Sequence, residues 1–333
     1  MAFTLMNQEF CKMKIKVGII GGAGYTAGEL LRLLLHHPHV EIQFVHSESN
    51  AGNTLSSVHC GLYGETELCF TQEVDLHNID VLFLCSGHGK SSEFWQTNTA
   101  PEHLKIIDLA QDYRDESHGY VYGLPEWQRE RIRCSKYVAN PGCFATAIQL
   151  ALLPLAAQGL LQDDIHVTAI TGSTGAGVKP GATTHFSWRN DNISVYKAFE
   201  HQHLIEINRT LHCLQPNYAH DIHFVPMRGD FTRGIFASVY TKTTLSEQEA
   251  VALYKNYYAD AMFTFVADKS IDLKQVINTN KALLHVEKHN NMLHITSAID
   301  NLLKGASGQA IENMNLIFAL DEKSGLRLKA SAF

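Results

Sequence analysis

A cysteine stands where a helix should begin. Cys143 follows Asn140, Pro141 and Gly142 and precedes the apolar run FATAIQLALLPL. Unpaired N–H groups and the dipole at a helix N-terminus lower the pKa of a thiol, and the thiolate is the nucleophilic form. The pattern therefore predicts a nucleophilic cysteine at position 143, with an apolar helix behind it to fix its place. A buried structural thiol is the alternative interpretation.

A base or a charged neighbour usually activates such a nucleophile. The best candidates lie in the segment from Glu200 to His203, with Glu206 three residues beyond His203. If this segment is helical, His203 and Glu206 share a face, so the carboxylate can orient the imidazole. Because the chain has 19 histidines, chance adjacency is common, and a solvated histidine cluster is the alternative. His201 and His203 could also form a metal pair, but no third ligand stands at a convincing spacing, so we predict no metal site.

A second group of informative residues is the glycine-rich loop GGAGYTAG at positions 21–28. Gly21 permits a tight turn, Gly24 lets the backbone approach a pyrophosphate, and the small Ala27 lets a helix pack on a strand. The phosphates would then rest on free N–H groups at a helix N-terminus. The loop predicts a dinucleotide site that includes Tyr25 and Thr26. A glycine turn without a ligand is the alternative.

The tip of the second predicted strand indicates which dinucleotide binds. An acidic residue there would bind the ribose 2′-hydroxyl of NAD. Ser47 and Ser49 would tolerate the 2′-phosphate of NADP, whereas Glu48 between them would repel it if its side chain points inward. We therefore favour NADP. Ser86 and Gly87, after the third predicted strand, complete the predicted cofactor residues in this half of the chain.

The elements around these residues follow the hydrophobic pattern. Strands alternate with helices in the first half, which argues for a parallel, doubly wound sheet with helices on both faces. After about position 140, a long helix and later strands that look antiparallel indicate an α+β domain, and the chain length favours two domains. The predicted strands are 14–21, 39–46, 81–85, 105–109, 165–171, 222–225, 234–243 and 293–298, and the predicted helices are 27–36, 91–99, 144–158, 247–259 and 301–318.

The composition narrows the functional class. The net charge of −7 over 333 residues offers no basic face for a nucleic-acid backbone. No apolar run reaches the ~18 residues that a membrane span needs, and the first residues lack the apolar core of a signal peptide. Seven cysteines without C-x-x-C spacing argue against a structural zinc site and a disulfide framework. We expect a cytoplasmic protein with a small-molecule substrate, no nucleic-acid partner and no membrane contact.

Seven segments follow one another between about positions 14 and 326: GGAGYTAGELLRLLLHHP, IIDLAQDYR, VYGLPE, ANPGCFATA, TGSTGAGVKPG, HQHLIE and DNLLKGASGQAIENMN. Together they resemble the N-acetyl-gamma-glutamyl-phosphate reductase family. The resemblance implies an α/β Rossmann dinucleotide-binding domain with a parallel doubly wound sheet, plus an α+β catalytic and oligomerisation domain with a mainly antiparallel sheet. We place the first domain at 14–142 plus 303–333 and the second at 143–302, after a disordered extension at 1–13. NADPH and a homo-oligomer, tetramer or dimer, are also implied.

The same resemblance implies roles for individual residues. Cys143 would attack the γ-acyl phosphate carbon and form a thioester, which hydride from NADPH would reduce to the semialdehyde. His203 would be the general acid–base with Glu206 beside it, and His201 is the competing base or a substrate contact. Backbone N–H groups near Cys143 would hold the oxyanion. The other implied residues are Arg114, Asn140 and Arg233 for the substrate and Gly175, Gly177 and Asn313 for the cofactor, with surface ion pairs the alternative for the arginines and a structural cap for Asn313.

The chain also departs from the family pattern near the presumed substrate pocket. Glu200 stands where a glycine is usual, Leu204 and Ile205 replace a small residue and a proline, and Arg228 is an additional cation. N-acetyl and N-succinyl substrates both stay open, and Arg228 motivates the hypothesis of an additional carboxylate. Three other functions are considered: an aspartate-semialdehyde dehydrogenase, a non-catalytic NADP-binding regulator, and a cysteine acyltransferase or hydrolase. The segment PGCFAT argues against the first, and the glycine loop argues against the last.

Overall fold

A computed structural model describes residues 14–331, which form two sheets and the helices that pack on them. The predicted disorder of residues 1–13 lies outside this range. None of the helices in the described range is long and apolar enough to cross a membrane.

The N-terminal sheet has six strands, all parallel, in the order β2-β1-β3-β4-β6-β5. Strands covered on both faces read as continuous apolar runs, and every residue of β3 is buried. The predicted parallel doubly wound sheet is confirmed, although the sequence pattern predicts neither β5 nor β6. The strands are β1 Ile15–Ile20, β2 Val40–His46, β3 Val81–Leu84, β4 Lys105–Asp108, β5 Tyr120–Tyr122 and β6 Tyr137–Ala139, with helices α1 Tyr25–Leu34, α2 Leu55–Val58, α3 Lys90–Thr97 and α4 Pro125–Arg133.

The second sheet has seven strands in the order β11-β12-β13-β10-β7-β9-β8 and is mainly antiparallel, as predicted. The prediction for the strand at 222–225 is wrong in one respect, because β9 runs parallel to β7. The connection between them contains a helix, and such a crossover returns the chain in the same direction. The elements are α5 Cys143–Ala157, β7 Ile165–Thr171, α6 Phe186–Arg189, β8 Ser194–Val195, α7 His203–Leu214, β9 Ile222–Arg228, β10 Ile235–Lys242, α8 Glu247–Tyr257, β11 Thr264–Ala267, β12 Ala282–His289 and β13 Met292–Ile299.

Helix α5 is the central element of the second domain. Its residues from Phe144 to Ala156 are all buried, which is the pattern of a helix apolar on every side. Pro154 inside the helix has no N–H to donate to Leu150 O. Tyr258 fills this vacancy, since its hydroxyl donates to Leu150 O at 2.6 Å, and the hydroxyl of Tyr254 donates to Ala151 O at 2.5 Å. Helix α8 and the residue that follows it therefore brace the helix that begins with Cys143.

The chain returns to the first domain at its C-terminal end. A single turn of π-helix, Leu303–Ser307, leads directly into helix α9, Gly308–Ile317. Helix α9 packs against α1, α4 and β4, while the π-helical turn also contacts α5. We therefore keep the proposal that residues 303–333 group with residues 14–142.

Candidate active site

Cys143 is the first residue of α5, and Gly142 is its N-cap with an extended backbone. The thiol is half-buried. A Cβ on Gly142 would overlap Nε2 of His203, and a Cβ on Gly305 would lie 2.8 Å from Cβ of Cys143. Glycines on both sides therefore allow the imidazole and the C-terminal segment to approach the cysteine closely.

Burial decides the protonation of the thiol. The loss of solvent around Cys143 raises its pKa to about 11, although the N–H of Phe144 and the charge of Arg114 act in the opposite direction. The prediction that the helix start lowers this pKa is therefore wrong in net effect, because desolvation of the thiolate exceeds the stabilisation by the helix end. At neutral pH the group is a thiol, so the reaction needs a base to remove its proton.

Glu206 holds the turn that precedes the cysteine. Its two carboxylate oxygens accept hydrogen bonds from Arg114 Nη1 at 2.9 Å, from the Tyr122 hydroxyl at 2.6 Å and from the backbone N–H of Gly142 at 3.1 Å. The predicted bond to His203 is replaced by a looser contact, with Nε2 and Oε1 3.9 Å apart. This distance is too long for a hydrogen bond, so Glu206 fixes the Gly142 turn directly rather than the imidazole.

Two buried histidines lie next to the start of α5, where both rings pack edge-on against Phe144. Burial, followed by the positive charges of Arg114 and neighbouring groups, lowers the pKa of His203 well below its ordinary value. Burial and the charges of Lys197 and Arg228 lower the pKa of His201 to about 4. Both rings are therefore neutral at physiological pH and able to accept a proton. His201 Nδ1 accepts the backbone N–H of His203 at 3.2 Å, whereas Nε2 of His203 borders Gly142.

Arg114 and Asn140 are bound within the network around the cysteine. Besides Glu206, Arg114 donates to Asn140 O at 2.9 Å and to Leu109 O at 3.1 Å. The side chain of Asn140 donates to Ala306 O at 3.1 Å and accepts from Asn313 at 3.0 Å. These bonds hold the segment before Cys143, and a role in substrate binding stays a prediction for both residues.

Asn313 and Arg233 have equally specific partners. The amide nitrogen of the fully buried Asn313 also donates to Gly123 O at 2.9 Å, which fits the structural alternative for this residue. Arg233 Nη1 lies 2.6 Å from Glu29 Oε1 on α1, and its Nε lies 3.0 Å from Asp300 Oδ2 after β13. Arg233 thus links the two domains through carboxylates, and its predicted contact with the substrate has no support from these partners.

The glycine-rich loop has the shape that a pyrophosphate requires. Gly21 has a φ of +78°, and a Cβ there would lie 2.8 Å from the backbone nitrogen of Ser86. A Cβ on Gly24 would meet only Gly21 O at 3.8 Å, so the backbone is open on this side. Gly24 caps α1 without a side-chain hydrogen bond, which leaves N–H groups free at the helix start. Ala27 is fully buried and permits the close packing of α1.

The other predicted cofactor residues lie at the expected chain positions. Ser47 is buried and Ser49 is exposed after β2, and the Asn50 amide donates to their hydroxyls at 3.2 and 3.0 Å. Gly87 is exposed after β3. Gly175 and Gly177 lie in a loop that is fixed by the bond from Thr174 Oγ1 to Thr232 O, at 2.6 Å. Their contacts with a cofactor stay predictions.

Sequence reasoning missed one residue pair of this network. Tyr122, on the short strand β5, donates to Glu206 and accepts a 2.7 Å hydrogen bond from Gln149 Nε2 on α5. Burial raises the pKa of Tyr122, so it stays a donor. The signal in the sequence is a polar glutamine inside the apolar run of α5, since a buried amide needs a partner.

The comparisons with known proteins agree with this arrangement. Residues 16–135 match the family model described as semialdehyde dehydrogenase, NAD binding domain, and residues 143–301 match semialdehyde dehydrogenase, dimerisation domain. The fold and the site thus define a protein of the semialdehyde dehydrogenase class. The prediction of a nicotinamide dinucleotide-binding domain is confirmed.

Closer relatives specify the family. The N-acetyl-gamma-glutamyl-phosphate reductase of Phocaeicola vulgatus is 61% identical over 321 residues, which cover 96% of this chain and 100% of the relative. That of Christiangramia forsetii is 55% identical with the same coverage. The chain belongs to the N-acetyl-gamma-glutamyl-phosphate reductase family, which confirms the resemblance identified in the sequence.

Solved structures share the fold at low sequence identity. Aspartate semialdehyde dehydrogenase II from Vibrio cholerae, complexed with ASA, superimposes with a TM-score of 0.72 at 17% identity and covers 92% of this chain and 99% of its own. Aspartate semialdehyde dehydrogenase with NADP from Candida albicans gives 0.69 at 13% identity, with the same coverage. The two-domain architecture is therefore that of solved enzymes.

Proposed function

We propose that the chain is an NADPH-dependent N-acyl-gamma-glutamyl-phosphate reductase, which reduces the acyl phosphate to the glutamate semialdehyde in arginine biosynthesis and releases phosphate. The observation that carries the proposal is the thiol of Cys143 at the start of α5, beside the neutral, buried His203. The names of relatives that are 61% identical over nearly the whole chain support this substrate class. An aspartate-semialdehyde substrate has weaker support, at 17% identity.

The residues around the thiol divide the proton transfers between them. His203 takes the proton of Cys143 as the sulfur attacks the acyl carbon. The bond from this carbon to the phosphate oxygen breaks, the imidazolium returns its proton to the departing phosphate, and a thioester joins the acyl group to Cys143. When bound, the nicotinamide supplies a hydride to this thioester. Cys143 then leaves as a thiolate and takes up the proton that the overall reaction consumes.

The cofactor residues fit NADP. Gly21 and Gly24, with the free N–H groups at the start of α1, would hold the pyrophosphate. Ser47 and Ser49, whose hydroxyls converge on the amide of Asn50, would bind the 2′-phosphate. Both serine hydroxyls can donate to a phosphate oxygen, which favours NADP over NAD.

The test is an assay in the oxidative direction. Purified protein receives N-acetyl-glutamate semialdehyde, inorganic phosphate and NADP, and NADPH formation is followed by its absorbance. We expect turnover only when the aldehyde and phosphate are both present, and faster turnover with NADP than with NAD. Arsenate in place of phosphate should sustain the reaction, because it also cleaves a thioester. Preference for aspartate semialdehyde would indicate an aspartate-semialdehyde dehydrogenase. Cofactor binding without turnover would indicate a non-catalytic NADP-binding regulator.

A homo-oligomer is part of the proposal. The match of residues 143–301 is described as a dimerisation domain, which supports a dimer or a tetramer of the chain. We also propose that the protein works in the cytoplasm on its small-molecule substrate.

Arg228 is the residue that bears on the N-acyl group. Its guanidinium carbon lies 4.6 Å from the centre of the Tyr196 ring, and the Tyr196 ring lies 5.8 Å from that of His201. The ring of His201 in turn lies 4.6 Å from that of His203. Nε of Arg228 is buried and has no hydrogen-bond partner among residues 14–331. A cation with an unused donor, close enough to His201 to lower the pKa of that histidine, supports the hypothesis that the substrate carries an additional carboxylate, as an N-succinyl group does.

We therefore expect kcat/KM to be higher for the N-succinyl substrate than for the N-acetyl substrate. Arg228→Ala should lower the N-succinyl value roughly tenfold or more, because a hydrogen bond between charged groups is lost, and should change the N-acetyl value much less. Arg327→Ala, at an exposed arginine paired with Asp321, is the matched control and should change neither value. Equal preference for N-acetyl in the wild type and in Arg228→Ala would end the hypothesis.

A further inference from the structure

The π-helical turn Leu303–Ser307 touches both halves of the proposed site. Its Gly305 packs against Cys143, and Ala306 O accepts the amide of Asn140 at 3.1 Å. The hydroxyl of Ser307 donates to Thr26 O, on the first turn of α1, at 2.7 Å. One turn of backbone therefore spans from the thiol to the helix start that faces the predicted pyrophosphate. Single π-helical turns are rare and occur frequently at functional sites.

A buried lysine anchors this turn. Lys304 is fully buried, and its Nζ lies 2.8 Å from Glu126 Oε1 on α4 and 2.9 Å from Glu312 Oε2 on α9. Thr264 donates to Glu126, and Asn280 donates to Glu312 at 3.0 Å. The ammonium group therefore has two fixed carboxylate partners on two different helices.

Burial and the mutual charges of these three groups both shift their pKa values. Burial favours the neutral amine of Lys304, but the two carboxylates outweigh it and raise the pKa of the lysine. Burial raises the pKa of Glu312 to about 7, while Glu126 keeps a lowered pKa beside the ammonium. Burial therefore does not remove the charge of Lys304, whose ammonium group stays paired with a carboxylate.

Burying these charged groups costs desolvation free energy. Apolar side chains of similar volume often give equal or greater stability than a buried ion pair, whereas removal of one partner is strongly destabilising. What the lysine adds over an apolar residue is a positional restraint, because its Nζ must stay within hydrogen-bond distance of both carboxylate oxygens. The neighbours of the lysine in the turn are the residues that contact Cys143, Asn140 and Thr26.

We propose that Lys304 is a positioning residue for hydride transfer, which sets the distance between the cofactor loop and the thiol by fixing the π-helical turn. This inference rests on the proposed function for its kinetic consequence. Acylation of Cys143 needs only the thiol, its base and the acyl phosphate. Hydride transfer in addition needs the nicotinamide at the right distance from the thioester carbon. Displacement of the turn should therefore affect hydride transfer more than acylation.

The first experiment separates these two steps in Lys304→Met. Acylation is measured as the burst of phosphate released from the acyl phosphate without cofactor. Hydride transfer is measured as kcat with NADPH and with NADPH deuterated at the transferred position. We expect kcat to fall roughly 10- to 100-fold with a larger isotope effect, as for a misplaced reactant, and the burst rate to change less than threefold.

Lys105→Met is the matched control. Lys105 is also a lysine bound to the C-terminal helix, since its Nζ donates to Ile317 O at 2.8 Å, but it lies at the far end of α9. It should leave kcat and the isotope effect unchanged even if the melting temperature falls. If Lys304→Met does not fold, Glu126→Gln keeps the shape and one acceptor oxygen and should give a smaller loss with the same rise in isotope effect.

A second readout does not depend on turnover. NADPH is expected to alter the rate at which iodoacetamide alkylates Cys143, and this effect should shrink roughly threefold or more in Lys304→Met and in Glu126→Gln. If the wild type fails the phosphate-dependent assay, the proposed function is wrong, but this measurement still tests the role of the lysine. The inference would be overturned by a Lys304→Met protein that folds, even with a lowered melting temperature, and keeps the wild-type kcat and isotope effect. Its alkylation of Cys143 would also have to respond to NADPH as in the wild type.

Discussion

Cys143→Ser is expected to lower the rate of phosphate-dependent NADP reduction by at least about a thousandfold, because removal of a covalent nucleophile lowers turnover by at least this factor. A serine hydroxyl is a poorer nucleophile and a poorer leaving group than a thiol. The substitution keeps the hydrogen bonds of the site, since Glu206 binds the backbone N–H of Gly142 and not the thiol. The melting temperature should therefore stay close to that of the wild type.

The same variant tests for the covalent intermediate. Wild-type protein mixed with the acyl phosphate in the absence of NADPH should gain the mass of one acyl group on the peptide that contains Cys143. The serine variant should gain none. Cys213→Ser replaces an exposed cysteine on α7, the helix of His203, and should behave as the wild type in both measurements. Turnover that survives in Cys143→Ser at the wild-type rate would refute the thioester route.

His203→Asn is expected to have the second largest effect, a loss of about 10²- to 10⁴-fold in kcat/KM, as for removal of a general acid–base. The effect should be large because burial holds the Cys143 thiol protonated at neutral pH, with a pKa of about 11. His201→Asn should cost less than about tenfold if His201 only borders the site, since general acid–base roles cost more than this. The opposite order would assign the base to His201.

The pH profile gives an independent check on the base. A neutral imidazole is required to take the thiol proton, so activity falls when the pH drops below the pKa of that imidazole. Burial lowers the pKa of His203 well below its ordinary value of 6.5. We therefore expect kcat/KM to stay constant as the pH falls through 6.5, with its acid limb well below this value. An acid limb centred at 6.5 would indicate a solvated histidine instead.

The parts of the fold that were predictable are those with a local pattern. Strands β1 to β4 and helix α5 follow apolar runs, and their observed limits differ from the predicted ones by about one residue. Strands β5 and β6 have only three residues each. Runs this short have no periodicity to read. Pairing with neighbours that are distant in the chain makes them strands, and a single sequence does not contain that information.

The features of the candidate active site were likewise predictable only where they have a local sequence pattern. The glycine loop and the turn before Cys143 have local signatures, so their positions were predictable. The bonds of Glu206 were not, because Tyr122 and Arg114 are separated from it by 84 and 92 residues. The sequence also does not predict whether the pKa of Cys143 is raised or lowered overall. A helix start is visible in sequence, whereas the depth of burial depends on the whole fold.

The hydrogen bond between Glu206 and the N–H of Gly142 has a consequence for the geometry of attack. This amide already has a partner, and an anionic oxygen placed beside it would meet the negative charge of Glu206. We therefore expect the negative oxygen of the tetrahedral adduct to be bound by amides that follow Gly142, in the first turn of α5. Through this one hydrogen bond, Glu206 would restrict the orientations in which the acyl group can bind at Cys143.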